Sequence, residues 1–325
     1  MQLRTVDCVI CGAGISDTRL VYHEFGLNVV RCRRCGLVYV NPRLDDTALD
    51  TVYGLHTAPR HIDGVGEDRT REEKVYRAQE DRLIQQRLQL IEKMRHGKAG
   101  RVLDVGSHYG HFLVQARLRG WTGVGVEIAS DVAAQARETH NLTIYNDKIE
   151  NVDFGEERFD LVTLFDVLEH LQDPNRVLQT IYSVLADDGI LFIKVPNVQF
   201  IRLKTFVLSR LLGRDAHKRY DFLNPLGFFM VEQHNYNFSD QTLTRLMAEN
   251  GYRKLQSFVE FPSIYGRSKG RDGVQIVVWL IGKLLYYASV GRLNINRSLL
   301  YAFRKTTPSS RASTFGLAKT GVGLR

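Results

Sequence analysis

Cysteine and proline are scarce in this sequence, with four of the first and seven of the second in 325 residues. So little cysteine excludes a disulfide-dense scaffold, and so little proline excludes a collagenous or proline-rich extended chain. Long apolar runs are lacking as well. The stretch from Gly273 to Gly282 ends at Lys283, well short of the ~20 residues that cross a bilayer, so no transmembrane helix is expected. The opening MQLRTVDCVICGAG carries no apolar core behind its single arginine; it does not read as a secretory signal, and a cytoplasmic location is expected. What is present is an ordinary folding composition, 44% hydrophobic and 25% charged, with length for roughly two domains. The 44 basic and 36 acidic residues leave a net charge of +8. That balance admits nucleic acid, a phospholipid surface or a phosphorylated substrate as partner and does not choose among them.

The four cysteines fall into two pairs, Cys8-x2-Cys11 and Cys32-x2-Cys35, with 20 residues between Cys11 and Cys32. Each turn presents two thiolates to one point, and a short hairpin brings both pairs around one tetrahedral zinc. Two disulfides are disfavoured in a reducing compartment. A redox CxxC would sit once, at a strand-to-helix junction, and not as a matched pair. With all four positions filled by sulfur the ion has no place for water, so it is read as a structural zinc that staples residues 1–45 into a ribbon. The apolar Leu37-Val38-Tyr39-Val40 reads as a strand that packs this ribbon onto something larger.

Residues 46–98 are read as a linker and one long amphipathic helix, because Tyr76, Leu83, Ile84, Leu88, Ile91 and Met94 recur at helical spacing between Glu67 and about His96. Acids and bases alternate along it, which marks a solvated face and not a nucleic-acid stripe. From 99 to 305 strands alternate with helices, predicting an α/β domain with a parallel sheet. Strands are expected at Arg101 to Val105, Gly123 to Val126, Leu142 to Tyr145, Phe159 to Phe165, Ile190 to Val195 and Leu299 to Phe303. Asp173 and Pro174 supply the cap and first turn of a helix to Leu185. Residues 306–325 are small, polar and basic, and are expected to be disordered.

The first of these strands runs into Gly106-Ser107-His108-Tyr109-Gly110, and Glu127 ends the second strand 17 residues beyond Gly110. A glycine turn opening a helix lets backbone amides approach a ligand, and an acid at the next strand end accepts both ribose hydroxyls. The pattern fits an adenosine-containing cofactor, S-adenosylmethionine or NAD. Asp147 and Asp166 follow the third and fourth strands and point into the same crevice, because ligands of such sheets bind beyond the carboxyl ends of the strands.

Taken together, VLDVGSHYGHFL, GVEIA, FDLVTLFDVLEHLQDP and VLADDGILFIKVPN resemble a class I S-adenosylmethionine-dependent methyltransferase. RCRRCGLVYVNPR resembles the zinc-ribbon branch of that family, whose members often modify sugars or other small metabolites. The resemblance covers most of the chain and implies a Rossmann-like seven-stranded sheet in an α/β fold. It implies further that Asp104, Gly106 and Gly110 shape the cofactor loop, that Glu127 holds the ribose, that Asp147 and Ile149 flank the adenine, and that Asp166 lies near the methionine moiety. Where the family has glycine this chain has His108, expected either to shift the helix start or to cover the cofactor. HNYNFSDQTLTRLMAENGY resembles the segment that closes such enzymes over the acceptor.

A sulfonium already activates its methyl group, so the protein must align a nucleophile and remove its proton. His170 and His234 are the candidate bases, histidine alone having an unperturbed pKa in the right range; His170 has a second reading, as a brace for the helix that Asp173 caps. The family's usual glutamate before the later histidine is Gln233 here, and Glu232 is expected to orient His234 instead. Tyr76, Tyr220 and Tyr236 are read as acceptor-site or core aromatics. No Asn-Pro-Pro-Tyr or Asp-Pro-Pro-Tyr follows the fourth strand, which argues against methylation of DNA-base amines and favours oxygen or carbon acceptors.

Residues 198–236 are read as a helical insertion over the active site, with a basic amphipathic helix from Phe200 to Leu212, and residues 274–290 as an apolar helix. Three readings stay open for these helices: a lid, a peripheral contact with an anionic membrane, or a dimer interface. The expected activity is methyl transfer from S-adenosyl-L-methionine to a small-molecule acceptor, a sugar or its lipid- or nucleotide-linked form among them, with structural Zn2+ in the ribbon. An RNA methyltransferase gripping its polyanion through the ribbon, and a non-catalytic zinc-ribbon nucleic-acid-binding protein, are the alternatives. An NAD-dependent oxidoreductase is disfavoured, since no hydride-transfer constellation is visible.

Overall fold

Runs such as Leu161-Val162-Thr163-Leu164 and Leu191-Phe192-Ile193 offer apolar side chains to both faces of a strand, which suits strands covered on both sides. The structure, a computed structural model, describes residues 3–24, 26–45, 67–203, 210, 234–260, 269–289 and 294–306. The chain opens with β1 (Leu3–Arg4), β2 (Thr18–Glu24), β3 (Leu27–Cys32), β4 (Val38–Val40) and β5 (Arg43–Leu44), followed by the long helix α1 (Glu67–Met94). Next come β6 (Arg101–Val105), α2 (His111–Arg117), β7 (Thr122–Val126), α3 (Ser130–His140), β8 (Thr143–Tyr145), β9 (Phe159–Phe165), α4 (Pro174–Val184) and β10 (Leu185–Pro196). The last elements are β11 (Tyr236–Asn237), α5 (Asp240–Glu249), β12 (Tyr252–Phe258), α6 (Lys269–Ala288) and β13 (Ser298–Lys305).

The seven-stranded sheet has the order β12-β13-β10-β9-β6-β7-β8. Neighbours from β10 to β8 are parallel, and β13 runs antiparallel between β10 and β12. Chain order reverses at β6, with β7 on one side and β9 on the other, so the crevice opens beyond the carboxyl ends of β6 and β9. Leu103, Val105, Val162, Leu164, Leu191 and Ile193 cover one face with Val177, Leu178 and Ile181 of α4 and Leu243, Leu246 and Met247 of α5. Val102, Leu161, Ile190 and Phe192 cover the other, against Ile84, Leu88 and Ile91 of α1 and Phe112, Leu113 and Ala116 of α2. Each fully buried side chain of this size contributes roughly 1.5–3 kcal/mol. As expected, Asp173 caps α4 by accepting the Arg176 amide, with Pro174 in the first turn.

The ribbon is joined to this core. β2 and β3 form an antiparallel hairpin, β4 pairs with β3, and β11 pairs with β4 so that Tyr236 lies opposite Tyr39. Cys8, Ile10, Leu37 and Tyr39 belong to the same buried cluster as α4 and α5. The strand expected at 37–40 does pack the ribbon onto something larger, and its partner strand comes from the C-terminal half of the same chain.

Three boundaries differ from expectation. The segment expected to close over the acceptor does so at most in its first residues: from Ser239, whose side chain caps α5 in a reciprocal box with Thr242, it is a core helix with Leu243, Leu246 and Met247 fully buried. β12 was not expected, because as the edge strand of the sheet it buries only its two end residues and keeps charged and polar ones between. α6 begins at Lys269, ahead of the expected 274. Helical residues 198–203 open the basic helix expected from Phe200, but 204–209 and 211–233, with Tyr220, Glu232 and Gln233, lie outside the described residues, as do 46–66 and 307–325. No described helix is long and apolar enough to cross a membrane.

Candidate active site

The glycine loop is built by backbone constraint. Gly106 has φ +74°, and a Cβ there would lie 2.5 Å from Val167 Cγ2; Gly110 has φ +77°, and a Cβ there would run into Leu142 Cδ1. The Gly106 and Ser107 amides both donate to the Val126 carbonyl, at 2.8 and 3.0 Å, tying the loop to the end of β7. His108, where the family has glycine, takes φ +49°. It adopts the left-handed conformation a glycine would supply, and histidine is among the residues that tolerate it. The helix start is therefore not displaced: Gly110 is the N-cap of α2. The His108 ring packs edge-on to Tyr109 at 4.2 Å and lines the crevice.

Glu127, 8% exposed, accepts the His108 amide on Oε2 and the Ala129 amide on Oε1, both at 2.9 Å. Each carboxylate oxygen can accept a second hydrogen bond, so the acid is oriented by the loop while keeping capacity for a pair of hydroxyls. Asp147 lies beyond β8, exposed, its Oδ1 held by the Lys148 amide and Asn151 Nδ2. Ile149 is buried at the turn that follows. Neither lines the cavity at the glycine loop.

That cavity has a volume of about 240 Å³. Residues 106–109, Asp104, Phe165, Asp166 and Lys194 form its base, and Gln79, Glu80, Leu83 and Arg87 of α1 form a wall. This use of α1 is not legible in its alternating charges. Arg87, 8% exposed, pairs with Glu260 at 2.6 Å, and its guanidinium lies 4.5 Å from the Phe165 ring centre. Burial would raise the Glu80 carboxyl, but a hydrogen bond and charge from His111, 3.2 Å away, outweigh this and hold it below the usual range. Asp104 accepts a 2.6 Å hydrogen bond from Thr163 Oγ1, yet burial, reinforced by the Glu127 charge, pushes it up to about 7. Asp166, with φ +56°, is ion-paired to Lys194. Burial pushes Asp166 up as well, but Lys194, joined by Arg87 and His170, overrides it and keeps the carboxyl ionised below its ordinary value.

The turn after β9 also carries Glu169 and His170. Asn235 Nδ2 donates to the His170 carbonyl at 2.8 Å, and the Tyr236 amide donates to the Glu169 carbonyl at 3.0 Å. This clamp seats His234 against His170 with ring centres 4.7 Å apart, bringing together two histidines far apart in sequence. Glu169, which the sequence reading passed over although it stands in the EHL triplet, is 1% exposed, and among the described residues neither of its carboxyl oxygens has a hydrogen-bond partner. Burial, with Asp166 nearby, raises its carboxyl well above the usual range. Tyr236 is a core residue: it is 1% exposed and its hydroxyl accepts from Arg43 at 2.5 Å. Glu232, expected to orient His234, and the Tyr76 side chain lie outside the described residues.

In the ribbon, the Sγ atoms of Cys8 and Cys35 are 3.4 Å apart and those of Cys11 and Cys32 are 3.6 Å apart, with all four thiols free. Four ~2.3 Å metal–sulfur bonds in a tetrahedron put sulfurs about 3.8 Å apart, whereas a disulfide needs about 2.05 Å. The four cysteines converge as a metal site would require and can hold one ion.

The family model described as a methyltransferase domain matches residues 76–257, which leaves the ribbon outside it. A ubiquinone biosynthesis O-methyltransferase of Glaesserella parasuis serovar 5 (strain SH0165) is 29% identical over 155 residues, 43% of this chain and 66% of that protein. The protein of the same name from Actinobacillus pleuropneumoniae serotype 7 (strain AP76) is 28% identical over 186 residues, 51% of this chain and 75% of that one. The match thus spans slightly less than two thirds of the first relative's length. The crystal structure of magnesium protoporphyrin IX methyltransferase from Synechocystis PCC 6803 with bound SAH covers 81% of this chain and 100% of its own, with a TM-score of 0.50 at 12% identity, a likeness of fold. With the matched domain spanning more than half of the sequence and the seven-stranded sheet agreeing with it, the chain belongs to the class I S-adenosylmethionine-dependent methyltransferases.

Proposed function

We propose that this protein moves a methyl group from S-adenosylmethionine to an oxygen of a small-molecule acceptor, with carbon as the less favoured atom. The carrying observation is that the carboxyl ends of neighbouring strands present both halves of such a site: a glycine loop with an oriented Glu127, and, beyond β9, the cluster of Glu169, His170 and His234. When bound, the cofactor supplies a methyl group activated by its sulfonium. Glu127 receives the ribose hydroxyls, Asp147 and Ile149 border the adenine, and Asp166 with Lys194 faces the methionine end, which α1 walls off from solvent through Glu80 and Arg87. Gly106, Gly110 and the buried Asp104 keep the loop close to the cofactor. His234 and His170 are the groups that meet the acceptor's nucleophile and manage its proton. The relatives named for O-methyl transfer support oxygen as the acceptor atom. The cysteine cluster holds a structural zinc and takes no part in the chemistry.

Calorimetric titration with S-adenosylhomocysteine, S-adenosylmethionine and NAD in parallel tests this reading, with Glu127→Ala as control. Micromolar binding of the first two, lost in the variant, is expected; binding of NAD alone would overturn it.

A peripheral membrane contact is a second component of the reading, supported by α6. Leu280, Ile281, Leu284 and Tyr287 are each more than 50% exposed on this helix, an apolar face suited to an interfacial position. Co-sedimentation with anionic vesicles, reduced by Leu284→Glu, is the expected outcome; the same pelleting by both proteins would remove the membrane from the account. Nucleic acid is the less favoured partner, because acids and bases along α1 and its neighbours neutralise one another, as in Glu92–Arg119 and Arg87–Glu260.

A further inference from the structure

Three side chains that offer metal ligands meet at the turn after β9, a few residues beyond Asp166, which lines the cavity at the glycine loop. One ligand atom each from Glu169, His170 and His234 lies within 4.8 Å of the other two. The Glu169 carboxyl is 1% exposed, and neither oxygen is bonded among the described residues. A carboxyl in that position is strongly disfavoured unless something at the site compensates it. Lys194 is already engaged with Asp166. The two chain segments are locked to each other by backbone contacts, Tyr236 amide to Glu169 carbonyl and Asn235 Nδ2 to His170 carbonyl. The donor set is therefore held by the fold and not by mobile surface side chains.

We infer that Glu169, His170 and His234 bind one divalent transition-metal cation, of the Mn2+, Co2+ or Zn2+ type, at a site separate from the four cysteines. Two imidazoles and one carboxylate suit such borderline ions better than Ca2+ or Mg2+, and they leave coordination positions open. The thiolate cluster selects zinc by softness, so the two sites can be loaded independently. Binding of the ion stands apart from the methyl-transfer reading; the role given to the ion rests on that reading. With the ion bound, the cation takes the acceptor's oxygen and lowers its pKa, so the histidines serve as its ligands and the ion replaces them in the proton-managing role given to them above. The hydroxyl proton then leaves to bulk water, the oxygen bonds to the methyl carbon, and the methyl–sulfur bond breaks with its electron pair returning to sulfur.

The test uses the full chain with its cysteine site already filled by zinc, titrated with Mn2+ and followed by electron paramagnetic resonance, in wild type, Glu169→Gln and His234→Ala. Binding of S-adenosylhomocysteine is measured on the same samples as a check of folding. The expected result is one bound Mn2+ per wild-type chain, nitrogen modulation in its spin-echo spectrum, and affinity lower by about tenfold or more in each variant, with S-adenosylhomocysteine binding unchanged. Absence of Mn2+ binding by a wild-type protein that binds S-adenosylhomocysteine overturns the metal site and leaves the proposed function standing. Mn2+ binding that both substitutions leave untouched overturns it equally. Mn2+ binding lost in the variants, in a protein that binds no S-adenosylhomocysteine, upholds the metal site while the methyl-transfer reading falls.

Discussion

Asp104 ties the stability of the sheet to pH in a way that can be worked out in advance. It is 4% exposed at the end of β6, with a hydrogen bond from Thr163 and the Glu127 charge nearby, and burial lifts it from 3.8 to about 7. The folded protein therefore holds this proton more tightly than the unfolded chain does. Below the unfolded value both states are protonated and the residue carries no penalty. Between that value and about 7 the unfolded chain releases its proton while the native state keeps it, so native stability falls as pH rises; above the folded value the penalty is complete. Each tenfold difference in proton affinity is worth ~1.4 kcal/mol, so the full penalty approaches about 4 kcal/mol. Asp104→Asn keeps the shape and an acceptor for Thr163 but removes the titration. The stability of the variant relative to wild type should then rise by on the order of 2–3 kcal/mol between pH 5 and pH 8.5. Urea unfolding of both proteins at both pH values measures it. A difference that does not change with pH would refute the buried neutral acid, and one that moves the other way would mean that Asp104 is ionised in the native state and compensated there.

Arg43, 3% exposed, donates to the Tyr236 hydroxyl and to the Gln172 carbonyl, both at 2.5 Å. Arg43→Ala should destabilise the protein by about 3–5 kcal/mol, since each hydrogen bond from a charged donor is worth roughly 1.5–3 kcal/mol, and should lower turnover by loosening the clamp that seats His234; a loss below about 1 kcal/mol would contradict this. On the proposed zinc assignment, treatment with a chelator, or Cys8→Ser, should expose the thiols to a colorimetric reagent and make residues 3–45 sensitive to protease, because a tetrathiolate zinc supplies on the order of 10 kcal/mol to such a small fold. Metal analysis finding no zinc in protein purified without chelator would sink that assignment.

Most of the sheet was legible because buried parallel strands are apolar without interruption: β6, β9 and the core of β10 stand where their residue types put them. The Asp173-Pro174 start of α4 was legible because capping is local chemistry. Edge strand β12 was hidden, since its pairing with β13 is set by topology and its exposed residues carry no periodic signal. The same distinction holds at the site. The turn at Gly106 and Gly110 and the placement of Glu127 beside it could be read because a tight turn and an oriented acid demand particular residue types at particular spacing. Glu80 and Arg87 could not, because a helix that walls a cavity with charged side chains looks like any solvated helix until its packing is known. Glu169 stood in plain view within EHL, but only the contact with residues 234–236 shows that it is buried.

The ribbon and the turn that carries Glu169 and His170 are one mechanical unit. β4 completes its pairing with β11, and β11 begins two residues after His234. The Val40 amide donates to the Asn235 carbonyl, while Asn235 and Tyr236 in turn hold the turn that carries Glu169 and His170. Arg43 adds a buried cation over the Tyr236 ring, 5.2 Å from its centre. A segment as short as residues 234–238 has too few backbone hydrogen bonds of its own to fix a side chain; the ribbon supplies the missing strand partner. The ribbon thus helps to fix where His234 stands, through the pairing of β4 with β11 and the Val40 amide on the Asn235 carbonyl. A ribbon fused to a methyltransferase sheet through one continuous core, and not tethered by a flexible linker, is what that role requires.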